Sequence, residues 1–132
     1  MSQIDLSPLS KILNPYTALG RSGLLPALHA AQKHFGWLPQ EVAGEVAAVL
    51  KVPLADVHGV IEFYSLFYNE PTEKKVIRVC TDPACALKGA DEILSALQAN
   101  PGPATTIERS PCLGLCEHAP AVWTMDNGRW AQ

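Results

Sequence analysis

Residues 75–90 have the sequence KVIRVCTDPACALKGA, and this stretch decides the fold. Its first part, residues 75–80, is rich in β-branched side chains, which predicts a strand. The spacing of apolar residues across 84–99 predicts a helix shortly after that strand. The apolar face of this helix comprises Leu87, Ala90, Ile93, Leu94 and Leu97. A strand followed at once by a helix indicates an α/β arrangement in this half of the chain.

Two more strands are predicted downstream, at residues 105–109 and 121–125. The tripeptide Asp126-Asn127-Gly128 is a hairpin turn signal that leads into Arg129-Trp130. Strand, helix, strand and hairpin is the order of a small thioredoxin-like layer. Because no helical segment follows the hairpin, we expect one face of the sheet to be short of cover.

Upstream of this layer, residues 1–70 contain no cysteine and carry a helical apolar pattern. One predicted helix starts after a Ser22 cap and ends at Gly36. Its apolar face comprises Leu24, Leu28, Ala31 and Phe35. Pro39 and Pro53 open two further helices. We therefore predict two domains, a helical bundle at 1–70 and an α/β domain at 71–132, and an overall α+β fold class.

An aromatic segment at residues 63–68, FYSLFY, ends the helical half. Its simplest interpretation is a packing element between the bundle and the domain that follows.

The composition excludes several classes of protein. The chain has 132 residues, of which 48% are hydrophobic and 17% charged, as in a globular protein. Ten Lys and Arg against 13 Asp and Glu give a net charge of −3 without a basic cluster, which argues against a nucleic-acid partner. No apolar run is long enough to predict membrane insertion, and the N-terminus does not resemble an export signal. We therefore expect a cytoplasmic protein with reduced thiols.

Four cysteines then need an explanation, and they form two pairs. Cys80 and Cys85 are separated by four residues, and Cys112 and Cys116 by three. The first pair spans the end of a predicted strand and the start of a predicted helix, and the second lies in a loop between strands. Both loops can lie at one edge of a small sheet, where four thiolates can converge.

Four thiolates suit either a structural Zn²⁺ or a [2Fe–2S] cluster. Zinc pairs commonly have two intervening residues, so the wider gaps here favour a dinuclear core without excluding zinc. Disulfides fit poorly with a cytosolic chain, and the C-x-x-C of a dithiol redox centre is absent. Asp82 and Glu117 lie beside the cysteines, where their charge lowers the potential of a cluster or where they are merely solvated loop residues. No phosphate loop or catalytic set is present, so we expect no catalytic residues and no NADH or FMN site wholly within the chain.

Four separate blocks carry a family resemblance. They are LLPALHAAQKHFGWLP at 24–39, VHGVIEFYS at 57–65, VCTDPACALKGA at 79–90 and CLGLCEHAP at 112–120. Together they resemble the small thioredoxin-like [2Fe–2S] subunit of the NADH-oxidising module of respiratory complex I. The same module occurs in NAD-dependent formate dehydrogenases and NAD-linked hydrogenases. The resemblance covers roughly residues 20–125, although the segment before the second cysteine pair is short for the family.

The resemblance implies an N-terminal helical bundle followed by a thioredoxin-like α/β [2Fe–2S] ferredoxin domain. Cys80 and Cys85 would ligate one iron, and Cys112 and Cys116 the other. It also implies a partner flavoprotein that holds FMN and the NADH site, further Fe–S subunits, and single-electron exchange between flavin and cluster. The bundle would then supply the docking contact. A zinc-stabilised structural interaction module is the alternative function.

Overall fold

The computed structural model describes residues 3–126 and the backbone of residues 129–131. The chain divides into two compact units, Met1–Pro71 and Thr72–Gln132. The first unit is helical, and the second combines a four-stranded sheet with two helices. The α+β fold class with an N-terminal helical region is therefore confirmed. No helix in the described part of the chain combines the length and apolar character needed to span a membrane.

Four helices and one 3₁₀ segment form the first unit. They are α1 (Ser7–Leu13), the 3₁₀ segment Asn14–Gly23, α2 (Leu24–Phe35), α3 (Gln40–Leu50) and α4 (Leu54–Phe63). Helix α2 ends as predicted at Gly36, whose φ of 82° is in the left-handed region that favours glycine. The predicted Ser22 cap is wrong, because the helix starts one residue later and Gly23 occupies the N-cap position without a side-chain hydrogen bond.

The core of the first unit lies where the apolar faces of these helices meet. Its fully buried residues include Leu9, Leu13, Leu28, Val42, Val46 and Val57. The first two belong to α1, a seven-residue helix that the sequence pattern did not predict. Helix α1 is stabilised by packing rather than by length, because a helix this short is marginal in isolation.

The aromatic segment after α4 is fixed to α2 by one buried side chain. Gln32, only 2% exposed, donates from Nε2 to the Leu66 carbonyl oxygen at 2.8 Å and accepts the Tyr68 N–H at 2.8 Å. Phe67 is buried and its ring centroid lies 4.5 Å from that of His29. The centre of the segment therefore packs against α2 within the first unit, and packing between the bundle and the second unit stays a prediction.

The sheet of the second unit has the order β2-β1-β3-β4. Its strands are β1 (Lys75–Cys80), β2 (Thr105–Ser110), β3 (Val122–Asp126) and β4 (Arg129–Ala131). Strand β1 is parallel to β2 and antiparallel to β3, and β3 is antiparallel to β4. The strand predictions agree with these bounds to within one residue. Two residues of the predicted turn, Asn127 and Gly128, lie outside the described residues.

The single helix predicted over 84–99 is wrong. The structure has two helices there, α5 (Pro83–Ala86) and α6 (Ala90–Ala99). The break comes at Gly89, where a φ of 89° cannot continue a helix. Leu87, predicted on the apolar face, is 86% exposed because it falls in this break. Helix α6 packs Ala90 and Leu94 into one core with Val79.

The opposite face of the sheet carries Val76, Arg78 and Met125, all of them buried. Val76 and Met125 are direct partners across β1 and β3. The centre of this face is therefore covered, and the expectation that one face of the sheet is short of cover is wrong there. Arg78 is tolerated in this setting because its Nε lies 3.1 Å from Oε2 of Glu108 on β2.

Candidate metal centre

The first cysteine pair is buried at the point where β1 leaves the sheet. Cys80 is the last residue of β1 and Cys85 lies in α5, and their exposed fractions are 1% and 2%. The strand carries Cys80 into the core, where its N–H donates to the Ala121 carbonyl oxygen at 3.1 Å. The short helix α5 then turns the chain back, so both thiols lie within one apolar cluster of the second unit.

A backbone N–H group donates to one of the buried sulfurs: that of Ala121 lies 3.4 Å from Cys85 Sγ. Burial raises the pKa of Cys80, while the backbone amides of Asp82 and Leu113 act in the opposite direction. Amide donors favour negative charge on sulfur, so this environment suits thiolate ligands better than an apolar pocket would.

The second pair lies in the exposed loop between β2 and β3. Cys112 follows the end of β2 by two residues, and Cys116 begins the 3₁₀ turn Cys116–His118. Their Sγ atoms are 3.6 Å apart. Gly114, at φ 73°, places its N–H 3.3 Å from Cys112 Sγ.

The loops that carry the two pairs lie at the same end of the sheet and are joined by the bond from the Cys112 N–H to Asp82. The hydrogen bond with the Cys112 thiol is the largest cause that raises the pKa of Cys116, and the charges of Cys85 and Cys80 raise it further. The fold thus brings the four predicted ligands to one edge of the sheet, as the parallel pairing of β1 and β2 dictates.

Direct bonds also tie the two cysteine loops together. Thr81 N–H donates to the Ser110 carbonyl oxygen at 3.2 Å, which extends the β1–β2 pairing by one step. One residue further along, Asp82 Oδ2 accepts the N–H of Cys112 at 2.8 Å.

The geometry of the outer thiols fits metal ligation by a pair. A tetrahedral metal ion that binds two thiolates at about 2.3 Å holds their sulfurs about 3.8 Å apart. The distance of 3.6 Å between the sulfurs of Cys112 and Cys116 is close to that value. All four cysteines are free thiols. Within residues 3–126, no three His, Cys, Asp or Glu side chains form a ready-made site for one ion.

Sequence reasoning did not predict the contact between Asp82 and Cys112. Asp82 precedes a proline at the start of a helix, a position where aspartate ordinarily caps the helix. Here α5 has no side-chain cap bond, and the carboxylate reaches the other loop instead. Glu117 has no such contact with the other loop: its Oε1 lies 3.7 Å from Nε2 of His118, and both side chains are exposed.

Known proteins share much of this sequence. Residues 9–129 match the family model of the thioredoxin-like [2Fe-2S] ferredoxins. The chain is 40% identical over 108 residues to HndA, a subunit of the NADP-reducing hydrogenase of Solidesulfovibrio fructosivorans, in an alignment that covers 75% of this chain and 63% of HndA. It is 35% identical over 116 residues to a subunit of the NADH-quinone oxidoreductase of Aquifex aeolicus, which covers 81% of this chain and 72% of the relative.

A third relative is the corresponding NADH-quinone oxidoreductase subunit of Salmonella typhimurium. It is 36% identical over 109 residues, which are 76% of this chain and 66% of the relative. The matched region therefore spans between 63% and 72% of these three relatives.

Proposed function

The chain belongs to the thioredoxin-like [2Fe-2S] ferredoxin family, and from that premise we propose that it is an electron-transfer subunit with one [2Fe–2S] cluster. The proposed ligands are Cys80 and Cys85 on one iron and Cys112 and Cys116 on the other. The family resemblance of the four sequence blocks is confirmed by this membership. The assignment of individual ligands remains part of the proposal.

The observation that carries the proposal is the pairing of the thiols. One pair is buried, one is exposed, and the exposed sulfurs already stand 3.6 Å apart. A dinuclear core needs two thiolates for each iron, so two pairs on neighbouring loops are the donor set that it requires. When bound, such a cluster accepts and returns one electron at a time.

The surrounding residues suit a cluster whose net charge changes by one unit when it takes up or releases an electron. The N–H groups of Gly114 and Ala121 donate to Cys112 and Cys85 sulfurs, and these bonds strengthen as negative charge on sulfur grows. They therefore favour the reduced state and raise the potential. Burial of Cys80 and Cys85 keeps water from the inner half of the site.

The names of the relatives support a place in a larger oxidoreductase. They are subunits of an NADP-reducing hydrogenase and of NADH-quinone oxidoreductases. We propose that this chain serves a complex of the hydrogenase or complex I type, with formate dehydrogenase as a third candidate parent. Its electron partner would be the FMN of a flavoprotein subunit that also holds NAD(H), beside further Fe–S subunits on the cytoplasmic side.

The first unit offers a surface for that flavoprotein. Helix α4 and the residues around it form an open groove lined by Arg21, Asp56, Gly59, Val60, Phe63 and Tyr64. Phe63 is 79% exposed and Tyr64 43%, and their rings meet edge to face. Exposed aromatic side chains beside an ion pair are typical of docking surfaces. We propose that this aromatic groove binds the flavoprotein.

Anaerobic purification with metal and sulfide analysis tests the proposed cluster. We expect a red-brown protein with about two irons and two acid-labile sulfides per chain. Reduction with dithionite should give a rhombic EPR signal from one unpaired electron. A colourless protein with zinc and no iron would contradict the proposal and favour the zinc-stabilised module.

A further inference from the structure

Asp82 occupies a helix-cap position but does not cap its helix. It directly precedes α5, where an aspartate side chain usually accepts an N–H from the first turn. No such bond exists here, and the main chain of α5 closes through the Asp82 carbonyl oxygen, which accepts the Ala86 N–H at 2.9 Å. The carboxylate is therefore available for another partner.

That partner is the backbone of a proposed ligand 30 residues away. Asp82 Oδ2 accepts the Cys112 N–H at 2.8 Å. The bond joins the loop between Cys80 and Cys85 to the loop that carries Cys112 and Cys116. Thr81 and Ser110 also join these loops, but through main-chain atoms that any residue would supply.

The bond falls where the sheet stops supporting the second loop. Pairing of β1 with β2 ends at Cys80 and Ser110. Beyond this point the second loop is exposed at Cys112 and Cys116, and the Gly114 N–H bonds back within the same loop. Leu113 and Leu115 pack against the core of the second unit, and the side-chain contact from the first loop holds the backbone of Cys112 itself.

We propose that Asp82 is a positioning residue that latches the outer thiol pair over the inner pair. The inference rests on the proposed cluster and assigns a role to a residue beside it. The latch depends on the acceptor oxygen of the Asp82 side chain and not on its negative charge. An asparagine, which keeps an acceptor oxygen at the same reach, should preserve the latch, and an alanine should remove it.

The consequence concerns retention of the cluster. A single hydrogen bond contributes about 1 kcal/mol, which corresponds to about fivefold in an equilibrium or rate. Loss of the latch loosens the backbone at Cys112. A chelator reaches the metal at this pair first, because Cys112 and Cys116 are exposed. We therefore expect the Asp82→Ala variant to lose its cluster about fivefold faster than the unmodified chain.

The test compares four proteins: the unmodified chain, Asp82→Ala, Asp82→Asn and Glu117→Gln. The last is a matched control, because it removes a negative charge next to Cys116 where no bond to the first loop exists. Cluster loss to a chelator is followed anaerobically by visible absorption, and EPR g values are recorded after reduction. We expect faster loss and shifted g values in Asp82→Ala alone.

Three results would overturn the latch. Asp82→Ala could match the unmodified chain in both measurements. Asp82→Asn could lose its cluster as fast as Asp82→Ala, which would assign the effect to charge. Glu117→Gln could do the same, which would make it a general effect of acidic residues near the site.

Two further outcomes are separable from these. If the unmodified chain holds zinc without iron, the proposed function is wrong, and zinc release from the same four proteins decides whether the latch exists. If circular dichroism shows Asp82→Ala unfolded, Asp82→Leu replaces it as an acceptor-free variant with the shape of asparagine. Failure of both to fold would assign Asp82 to folding and reject the proposal.

Discussion

Gly114 shows how a single residue adapts a loop to sulfur chemistry. Its φ of 73° lies in a region that L side chains rarely adopt, yet a Cβ built there would meet no atom within 4 Å. The requirement for glycine is therefore conformational and not steric. The left-handed turn is what directs the Gly114 N–H toward Cys112 Sγ.

Replacement of Cys112 by serine tests the outer ligand pair at the residue scale. A serine oxygen is a poorer ligand for iron than a thiolate, so the Cys112→Ser chain should lose its cluster or show a shifted absorption and EPR spectrum. Visible and EPR spectra of anaerobically purified protein provide the measurement. Spectra identical to those of the unmodified chain would remove Cys112 from the ligand set.

The four cysteines could be identified as candidate ligands from the sequence because their spacing is local information. The Asp82 latch could not, since the bond depends on how two loops 30 residues apart approach each other. The amide donors to sulfur, such as the Ala121 N–H, are equally invisible, because every residue except proline has one. Residue-scale prediction therefore identified the candidate ligands but not the bond between Asp82 and Cys112.

At the scale of elements, strands were easier to predict than helix ends. Strand β1 follows an apolar, β-branched run whose limits coincide with Lys75 and Cys80. The break between α5 and α6 was missed because the apolar spacing continues from Leu87 to Ala90 although the helix is interrupted between them at Gly89. Periodicity describes which side chains share a face only if the helix is continuous.

Glu108 and Arg109, adjacent on strand β2, each form an ion pair, and the two pairs should contribute differently to the free energy of unfolding. The Arg78–Glu108 pair has side chains 8% and 27% exposed, whereas the Arg109–Asp91 pair has 63% and 60%. Removal of the Glu108 charge leaves the guanidinium of Arg78 in a poorly solvated place. Glu108→Gln should therefore lower the free energy of unfolding by about 2 kcal/mol.

The exposed pair provides the matched control for that experiment. Asp91→Asn should change the free energy of unfolding by less than about 0.5 kcal/mol, because solvent screens the pair. Both values come from denaturant unfolding of the full chain followed by circular dichroism. Equal effects of the two substitutions would show that burial does not determine how much each pair contributes to the free energy of unfolding.

Helix α2 should depend on Gln32 to hold the aromatic segment. Gln32→Leu keeps the volume but removes the donor to Leu66 and the acceptor for Tyr68, both of them backbone partners. We expect the free energy of unfolding to fall by about 2 kcal/mol, since buried polar groups lose a partner. Denaturant unfolding measures it, with Gln98→Leu on the exposed face of α6 as a control whose effect should stay within about 0.5 kcal/mol. A Gln32→Leu chain as stable as the control would contradict this role.

At the scale of the whole molecule, the cysteines and the aromatic groove belong to different units. The second holds all four cysteines, and the first holds the aromatic groove between Arg21 and Tyr64. This division could be predicted from the sequence because cysteines and helical periodicity occupy different halves. The exposure of individual aromatic residues could not, since Phe63 and Phe67 belong to the same short motif and only the latter is buried.

The docking role of the first unit is testable with one aromatic side chain. Phe63→Ser removes the most exposed ring of the groove and should weaken binding to the flavoprotein about tenfold, as loss of an interface anchor does. Affinity is measured by calorimetry with the purified flavoprotein. Leu19→Ser is the control, because Leu19 is 53% exposed but does not line the groove. Equal affinities for the two variants would show that the groove is not the docking surface.

The unequal exposure of the two thiol pairs gives the site an order of filling. A metal ion arriving from solution meets Cys112 and Cys116 first, because these thiols are exposed. Cys80 and Cys85 are buried in the core, so we expect these two thiols to bind metal last. A chelator in solution should likewise reach the metal at Cys112 and Cys116 first. Both loading and loss of the proposed cluster would then begin at the outer loop.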